Sequence, residues 1–190
     1  QRFMFEDMVE ENGSKATYVI CRVKELVEKS DARVILFSQW PRMFEILKHA
    51  FAAYGIKHVL CKGNVFTRTN AIKRFNTDEK VRVIMLSLDT AASGANLQKA
   101  SHVILMDPVL GTKEEADAIE SQAIGRAHRQ GQVKKLKVIR IVMRNTIEES
   151  LLERDSQTAQ WRLGIPMKVI EAIVKFKRAL KRSKNRKNKK

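Results

Sequence analysis

The sequence is poor in cysteine, with only Cys21 and Cys61 among 190 residues and no C-x-x-C pair. This scarcity excludes a disulfide framework and gives no sign of a zinc site, so we predict two reduced, mostly buried thiols in a cytosolic or nuclear protein. No apolar run approaches the roughly 18–20 residues that span a bilayer, and residues 1–10 carry three acidic side chains. We therefore expect no secretory signal and no membrane partner.

Acidic residues are in the minority, 21 against 37 Lys and Arg, which gives a net charge of +16. The excess is uneven, because residues 168–190 contain eleven Lys or Arg and a single Glu, and so hold ten of the sixteen net charges. Such a basic tail indicates a polyanionic partner, nucleic acid above all. A solvated import or solubility tail is an alternative that does not exclude the first.

Five short apolar runs alternate with helical patterns along the chain. A continuous apolar run is typical of a strand buried on both faces, and its alternation with helices indicates a parallel sheet. We predict an α/β fold, a parallel sheet with helices on both faces, over residues 13–155. Residues 1–12 are interpreted as a linker, and residues 156–190 as a basic helical and disordered tail. The predicted strands are Arg33–Ser38, Lys57–Cys61, Val81–Leu86, Ser101–Met106 and Leu136–Met143.

Polar and small residues follow the first three predicted strands, at the sheet edge where parallel α/β proteins bind ligands. Ser38 and Gln39 carry a hydroxyl and an amide that can bond sugar-phosphate oxygens without reading sequence. Gly63 and Asn64 offer backbone N–H groups to a phosphate. We predict nucleic-acid contacts from these four residues and from Ser87, with a plain polar strand end as the alternative for Ser38 and Gln39.

The loop from Ser87 to Asn96 consists largely of small residues. Its backbone can therefore come close to a phosphate chain, a ribose or a nucleic-acid strand. Gly94 permits either a left-handed turn or a close approach. We predict ligand contacts from Gly94 and Asn96.

A helix is predicted to continue from Glu114 up to Gly131. Its residues Gln122, Arg126 and Arg129 stand at positions i, i+4 and i+7 and so form a polar stripe on one face. Two guanidinium groups fixed on one helix face suit the charge that is spread over a transferring γ-phosphate, which is the role of an arginine finger. An exposed polar face with two salt-bridging arginines is the alternative for an R-x-x-R pattern alone.

The other faces of this helix have different tasks. Gly125 lies beside the polar stripe, where a missing side chain lets another chain or a ligand approach closely. Ile119, Ala123 and Ala127 point elsewhere and can pack.

The complete string Gln-x-x-Gly-Arg-x-His-Arg-x-Gly-Gln over residues 122–132 resembles helicase motif VI of the SNF2 family of DNA-dependent ATPases. Four further blocks resemble that family in the right order: Val34–Trp40 (motif IV), Arg68–Asn76, Leu86–Pro108 (motif V and its continuation) and Thr146–Glu149. The resemblance covers residues 13–154. Within the family it leans towards the branch linked to RING-type ubiquitin ligases in DNA repair, or towards viral relatives.

This resemblance implies a RecA-like fold and the C-terminal lobe of a translocase on double-stranded DNA, with ATP and Mg²⁺ in a cleft against an N-terminal RecA-like lobe of the same protein. It implies that Arg126 and Arg129 are the catalytic arginine fingers, and that Gln122, Gly125 and the loop of Gly94 and Asn96 bind the nucleotide. Nucleosomes or other DNA-bound proteins are implied as partners. The implied location is nuclear in a eukaryote, and otherwise cytoplasmic or virus-encoded and intracellular.

The sequence contains no G-x-x-x-x-G-K-[ST] motif and no Asp-Glu-x-His. The phosphate cradle and the Mg²⁺ carboxylate are therefore expected on the N-terminal lobe, no metal ligand is predicted here, and the isolated chain is expected not to hydrolyse ATP. Two alternatives stay open. The lobe could be a non-catalytic nucleic-acid- or protein-binding module, because Asp89 and Ala91-Ala92 replace the basic residue and Gly-Gly that the family usually has. It could also belong to an RNA helicase, although the Gly131-Gln132 ending disfavours this.

Overall fold

The computed structural model of the chain describes residues 2–91, 96–128 and 135–151. The chain divides into two compact units, Gln1–Leu152 and Glu153–Lys190, and every described residue belongs to the first. The tail predicted over residues 156–190 lies outside the described residues. Among the residues described, no helix combines the length and the apolar character needed to cross a membrane.

Helices and strands alternate as the apolar pattern predicted. In chain order the elements are α1 (Arg2–Asn12), α2 (Ser14–Lys29), β1 (Val34–Phe37), α3 (Pro41–Ala53), β2 (His58–Cys61), α4 (Val65–Thr77), β3 (Val83–Leu86), α5 (Leu88–Ala91), β4 (His102–Leu105), α6 (Lys113–Gly125), β5 (Lys137–Arg140) and a further helix, α7, over residues 147–151. Each strand has four residues, and each lies inside the run that was predicted for it.

The five strands form one parallel sheet in the order β2-β3-β1-β4-β5. The parallel sheet confirms the predicted fold. The chain runs outwards from β1 to β2 and later returns past β1 to β4, so the direction of winding changes between β1 and β4. In open α/β sheets this change of direction opens a crevice beyond the carboxyl ends of the two strands.

The three central strands consist almost entirely of apolar residues because both faces of the sheet are buried there. All four residues of β1, β3 and β4 are buried, which a parallel sheet covered by helices requires. On one face Ile35 and Phe37 belong to a core that includes Phe75 of α4 and Ala123 of α6. On the opposite side α2 packs against α3, which buries Leu47 and Phe51.

The two cysteines are free; Cys61 is buried and Cys21 is half-buried. Burial raises the pKa of both thiols, which disfavours the reactive thiolate. The prediction of mostly buried thiols therefore holds for Cys61, whereas Cys21 is only half-buried.

The first twelve residues, interpreted from sequence as a linker, form helix α1 over Arg2–Asn12. Met8 is buried, and its carbonyl accepts a hydrogen bond from Thr17 Oγ1 at 2.8 Å. The Tyr54 hydroxyl lies 3.1 Å from Met8 Sδ. These contacts come from α2 and from the end of α3. The sequence of residues 1–12 alone therefore gave no sign that this segment packs as a helix.

Candidate nucleotide and nucleic-acid interface

The strand register gathers several predicted site residues at one edge of the sheet. The last residues of β1, β2, β3 and β4 lie side by side, namely Phe37, Cys61, Leu86 and Leu105. The segments that follow these strands therefore all leave the sheet at its carboxyl edge, as their positions in the sequence predicted. Residues 38–39, 63–64 and 87 belong to these segments.

The first segment is organised by Asp107, a residue that the sequence analysis did not single out. Ser38 is 1% exposed, and its Oγ donates to Asp107 Oδ2 at 2.6 Å and accepts the Trp40 N–H at 3.1 Å. The Gln39 N–H donates to the same carboxylate oxygen at 3.3 Å, and its side-chain amide donates to the Pro108 carbonyl at 3.4 Å. The Ser38 hydroxyl thus points into the protein, whereas Gln39 is half-buried and Trp40 is exposed.

The second segment is the beginning of α4. Gly63 has a φ of +98°, and a Cβ added there would lie 2.7 Å from Thr67 Oγ1, so the turn requires glycine. Asn64 is the N-cap, and its side-chain oxygen accepts the Thr67 N–H at 2.9 Å. The Asn64 side chain is therefore engaged at the helix start, and a phosphate at this place would meet backbone N–H groups of the first turn.

The third segment begins with Ser87. Its Oγ accepts the Thr90 N–H at 3.2 Å and lies 2.8 Å from Thr90 Oγ1. These bonds start the single turn of α5 where the sequence indicated a loop of small residues. Gly94, predicted in the same loop, lies outside the described residues.

Helix α6 carries the motif VI residues and begins as its acidic first turn indicated. Thr112 is the N-cap and forms a reciprocal capping box with Glu115. Of the three residues that the sequence allowed to pack, Ala123 and Ala127 are buried and Ile119 is 37% exposed. Gln122 is exposed.

The predicted continuation of this helix to Gly131 is wrong, because α6 ends at Gly125. The N–H groups of Arg126 and Ala127 donate to the carbonyls of Ala123 and Ile124, three residues back, which tightens the last turn. Glycine is among the weakest helix formers, and it occupies the point where the helix stops. Gln122 and Arg126 keep their i, i+4 relation, whereas Arg129 lies outside the described residues.

Arg126 forms the C-cap of α6 and is half-buried. Its carbonyl accepts the Leu97 N–H at 3.1 Å, and Asn96, next to Leu97, accepts the Asn76 side-chain amide on its carbonyl at 2.8 Å. A Cβ added at Gly125 would meet nothing within 4 Å. The structure therefore brings Arg126 and Asn96 together at the end of α6, with open space beside Gly125.

Two partly buried sets of ion contacts, one around Arg140 and one around Lys15, were missed from the sequence. Arg140 of β5 donates from Nη2 and Nε to Glu120 Oε2 at 2.6 and 2.9 Å. Lys15 Nζ donates to Asp107 and to Glu148. The available signals were the acidic residue that ends an apolar strand, Asp107, and the acidic pair Glu148-Glu149 at the start of a predicted helix.

The five-stranded parallel sheet, flanked by helices, gives the chain a RecA-like fold. A solved structure of the C-terminal part of the Fun30 ATPase domain shares the fold, with a TM-score of 0.64 and 23% identity over 74% of this chain and 44% of that one. The chain belongs to the helicase conserved C-terminal domain family, which matches residues 17–131.

Its relatives are SNF2-type ATP-dependent helicases and remodellers. An uncharacterised ATP-dependent helicase of Schizosaccharomyces pombe is 39% identical over 143 residues, 74% of this chain and 13% of that protein. The DNA repair protein RAD5A of Arabidopsis thaliana is 30% identical over 77% of this chain and 14% of its own length. The human SWI/SNF-related regulator of chromatin subfamily A containing DEAD/H box 1 is 34% identical over 80% of this chain and 14% of its own length. The chain thus spans a small part of the curated relatives that it matches.

Proposed function

We propose that the chain is the C-terminal motor lobe of an ATP-dependent translocase on double-stranded DNA, with Arg126 and Arg129 as arginine fingers. The observation that carries the proposal is the end of α6. There the Arg126 carbonyl accepts the Leu97 N–H, and a Cβ added at Gly125 would meet nothing within 4 Å, which leaves room for the approach of a ligand. The hydrogen bond to Leu97 fixes the backbone from which the Arg126 side chain extends. A guanidinium that reaches a facing phosphate from this place would stabilise the charge of a transferring phosphoryl group.

ATP with Mg²⁺ supplies the transferable phosphoryl group, and the metal ligands belong to the N-terminal RecA-like lobe of the same protein. In this chain the exposed Gln122, one helical turn before Arg126, orients the nucleotide from the same side. Asn96 lies beside the Arg126 backbone and, with Gly94, completes the nucleotide side of the lobe.

The carboxyl edge of the sheet serves as the nucleic-acid track. The sugar-phosphate backbone would contact Gln39, Ser87 and the first turn of α4 after Gly63 and Asn64. Ser38 would hold the loop after β1 through its hydrogen bond to Asp107. Opening and closing of the cleft between the lobes would move this edge along duplex DNA, and so move a nucleosome or another protein bound to it. In a eukaryotic cell this work takes place in the nucleus.

The test measures ATP hydrolysis with and without duplex DNA on the chain extended by its preceding lobe. Arg126→Ala is expected to lower kcat by about a hundredfold or more, because it removes a charge contact made in the transition state. Arg74→Ala, which removes an exposed arginine from α4, is the matched control and should leave kcat unchanged.

Two outcomes would contradict the proposal. If wild type and Arg126→Ala are equally inert while duplex DNA is still bound, the lobe is a non-catalytic binding module. If RNA stimulates hydrolysis and duplex DNA does not, the lobe belongs to an RNA helicase.

A further inference from the structure

Three segments that are far apart in the sequence meet at Lys15, in the first turn of α2. Lys15 Nζ donates to Glu148 Oε1 and Oε2 at 2.7 and 2.9 Å and to Asp107 Oδ1 at 3.3 Å. The side chains of Lys15 and Asp107 are only 10% and 6% exposed. The Glu148 side chain is 22% exposed, so the contact joins α2, the segment after β4 and α7 by charges that water screens only in part.

The same Asp107 carboxylate holds the loop after β1 with its second oxygen. Oδ2 accepts the Ser38 hydroxyl and the Gln39 N–H, and Ser38 Oγ in turn accepts the Trp40 N–H. Lys15 thus acts on one oxygen of a carboxylate whose other oxygen fixes the backbone of residues 38–40. The network lies beyond the carboxyl ends of β1 and β4, where the winding of the sheet changes direction.

The charges in this network make Lys15 its central member. One ammonium stands between two carboxylates, and Glu148 Oε2 also accepts the Met143 N–H at 2.8 Å. Loss of the ammonium would leave two carboxylates facing each other in a mostly buried place, so the repulsion would push Asp107 and Glu148 apart. Movement of Asp107 would release the loop of residues 38–40.

We propose that Lys15 is a positioning residue for the nucleic-acid track: it couples the loop of residues 38–40 to α2 on one side and to α7 on the other. It touches neither nucleotide nor DNA itself. A shift of α2 or of α7 would change the position of Asp107, and with it the affinity of the loop for duplex DNA. This inference rests on the proposed function, because the loop matters only if the carboxyl edge binds DNA.

The test is Lys15→Met, which keeps the length of the side chain and removes its charge, in the chain joined to its preceding lobe. The duplex concentration that half-saturates ATP hydrolysis is expected to rise about tenfold, within the range typical of coupling between sites, while kcat at saturating DNA stays nearly unchanged. Amide hydrogen exchange should become faster in residues 38–40 and 143–149 together. The control is Lys29→Met, which breaks an exposed ion pair with Glu25 on the same helix and should change neither readout.

A second variant covers the case in which Lys15→Met does not fold. Glu148→Gln keeps the shape of the side chain and an acceptor oxygen. It is expected to raise the half-saturating duplex concentration by less than Lys15→Met does and to leave kcat nearly unchanged. An unchanged half-saturating concentration, a fall in kcat alone, or faster exchange confined to α2 would each overturn the positioning role. If duplex DNA fails to stimulate even the wild type, the proposed function itself falls, and that result is distinct from a stimulated wild type with an indifferent Lys15→Met.

Discussion

The ion pair between Glu120 and Arg140 offers a sharp test of how α6 is held against the sheet. Glu120 is 8% exposed, and a single carboxylate oxygen receives both Nη2 and Nε of Arg140. The substitution Glu120→Gln removes the charge, keeps the shape and leaves the guanidinium facing a neutral amide. Six residues further along the same helix is Arg126, so the pair also bears on the position of the proposed arginine finger.

The expected loss follows from the burial of the two groups. Removing one partner of a fully buried pair costs about 3–5 kcal/mol. The Arg140 side chain is still 21% exposed, so water compensates part of the loss, and a reduced value of about 2–3 kcal/mol is expected. For a chain of this size each kcal/mol lowers Tm by about 2–4 °C, so a loss of about 2–3 kcal/mol should lower Tm by roughly 4–12 °C.

The assay is thermal unfolding of the 190-residue chain followed by circular dichroism. Arg140→Met together with Glu120→Gln removes both charges, and this double variant should lose less stability than the sum of the single variants. Glu45→Gln breaks an exposed pair with Lys48 on α3 and serves as the control, with little change expected. A Glu120→Gln protein as stable as Glu45→Gln, or strictly additive losses in the double variant, would refute the reasoning.

Two further predictions concern stability. The pKa of His102 is lowered from 6.5 to about 4, mainly by burial and next by the charges of Lys137 and Arg22. As the pH falls, the unfolded chain therefore takes up a proton on this histidine before the folded chain does. The free energy of unfolding should decrease as the pH falls from 6.5 towards 4, by about 2 kcal/mol at pH 5. Urea unfolding at pH 7 and 5 should show this loss, and His102→Gln should reduce it while the exposed His49→Gln does not. Asn64→Ala removes the N-cap of α4 and should lower the free energy of unfolding by about 1 kcal/mol in the same assay. The control is Asn70→Ala, in the middle of α4. A loss of stability for Asn64→Ala no larger than that of the control would contradict the role of the cap.

The sequence predicted the elements well where the signal is local. The strands could be located because a strand that is buried on both faces of a parallel sheet has a continuous apolar run, and turn residues mark where each run ends. The start of α6 was also predictable, since Thr112 and Glu115 carry a capping box within four residues. The end of α6 was not, because Gly125 is tolerated inside a helix and the Leu97 N–H that meets the Arg126 carbonyl comes from the segment before β4.

The assignment of Ser38 shows the same limit for site residues. Its place after a buried strand indicated a hydroxyl at the carboxyl edge of the sheet, and the register puts Ser38 at that edge. The direction of that hydroxyl depends on Asp107, 69 residues later in the chain, which accepts it inside the protein. A single polar residue at a strand end is equally compatible with both orientations until the neighbouring strand is known.

By itself the sequence determined the α/β class, the position of each strand and the family, because periodicity, caps and motif spacing are properties of short stretches. The tertiary structure decided which charges meet. Lys15 bonds to Asp107 and Glu148 across 92 and 133 residues of chain. The strand order, with β4 beside β1 and β5 beside β4, brings the segments that follow these strands near each other. Ion pairing acts over a few ångströms in space and carries no period along the chain, so strand order had to be known before the network could be found.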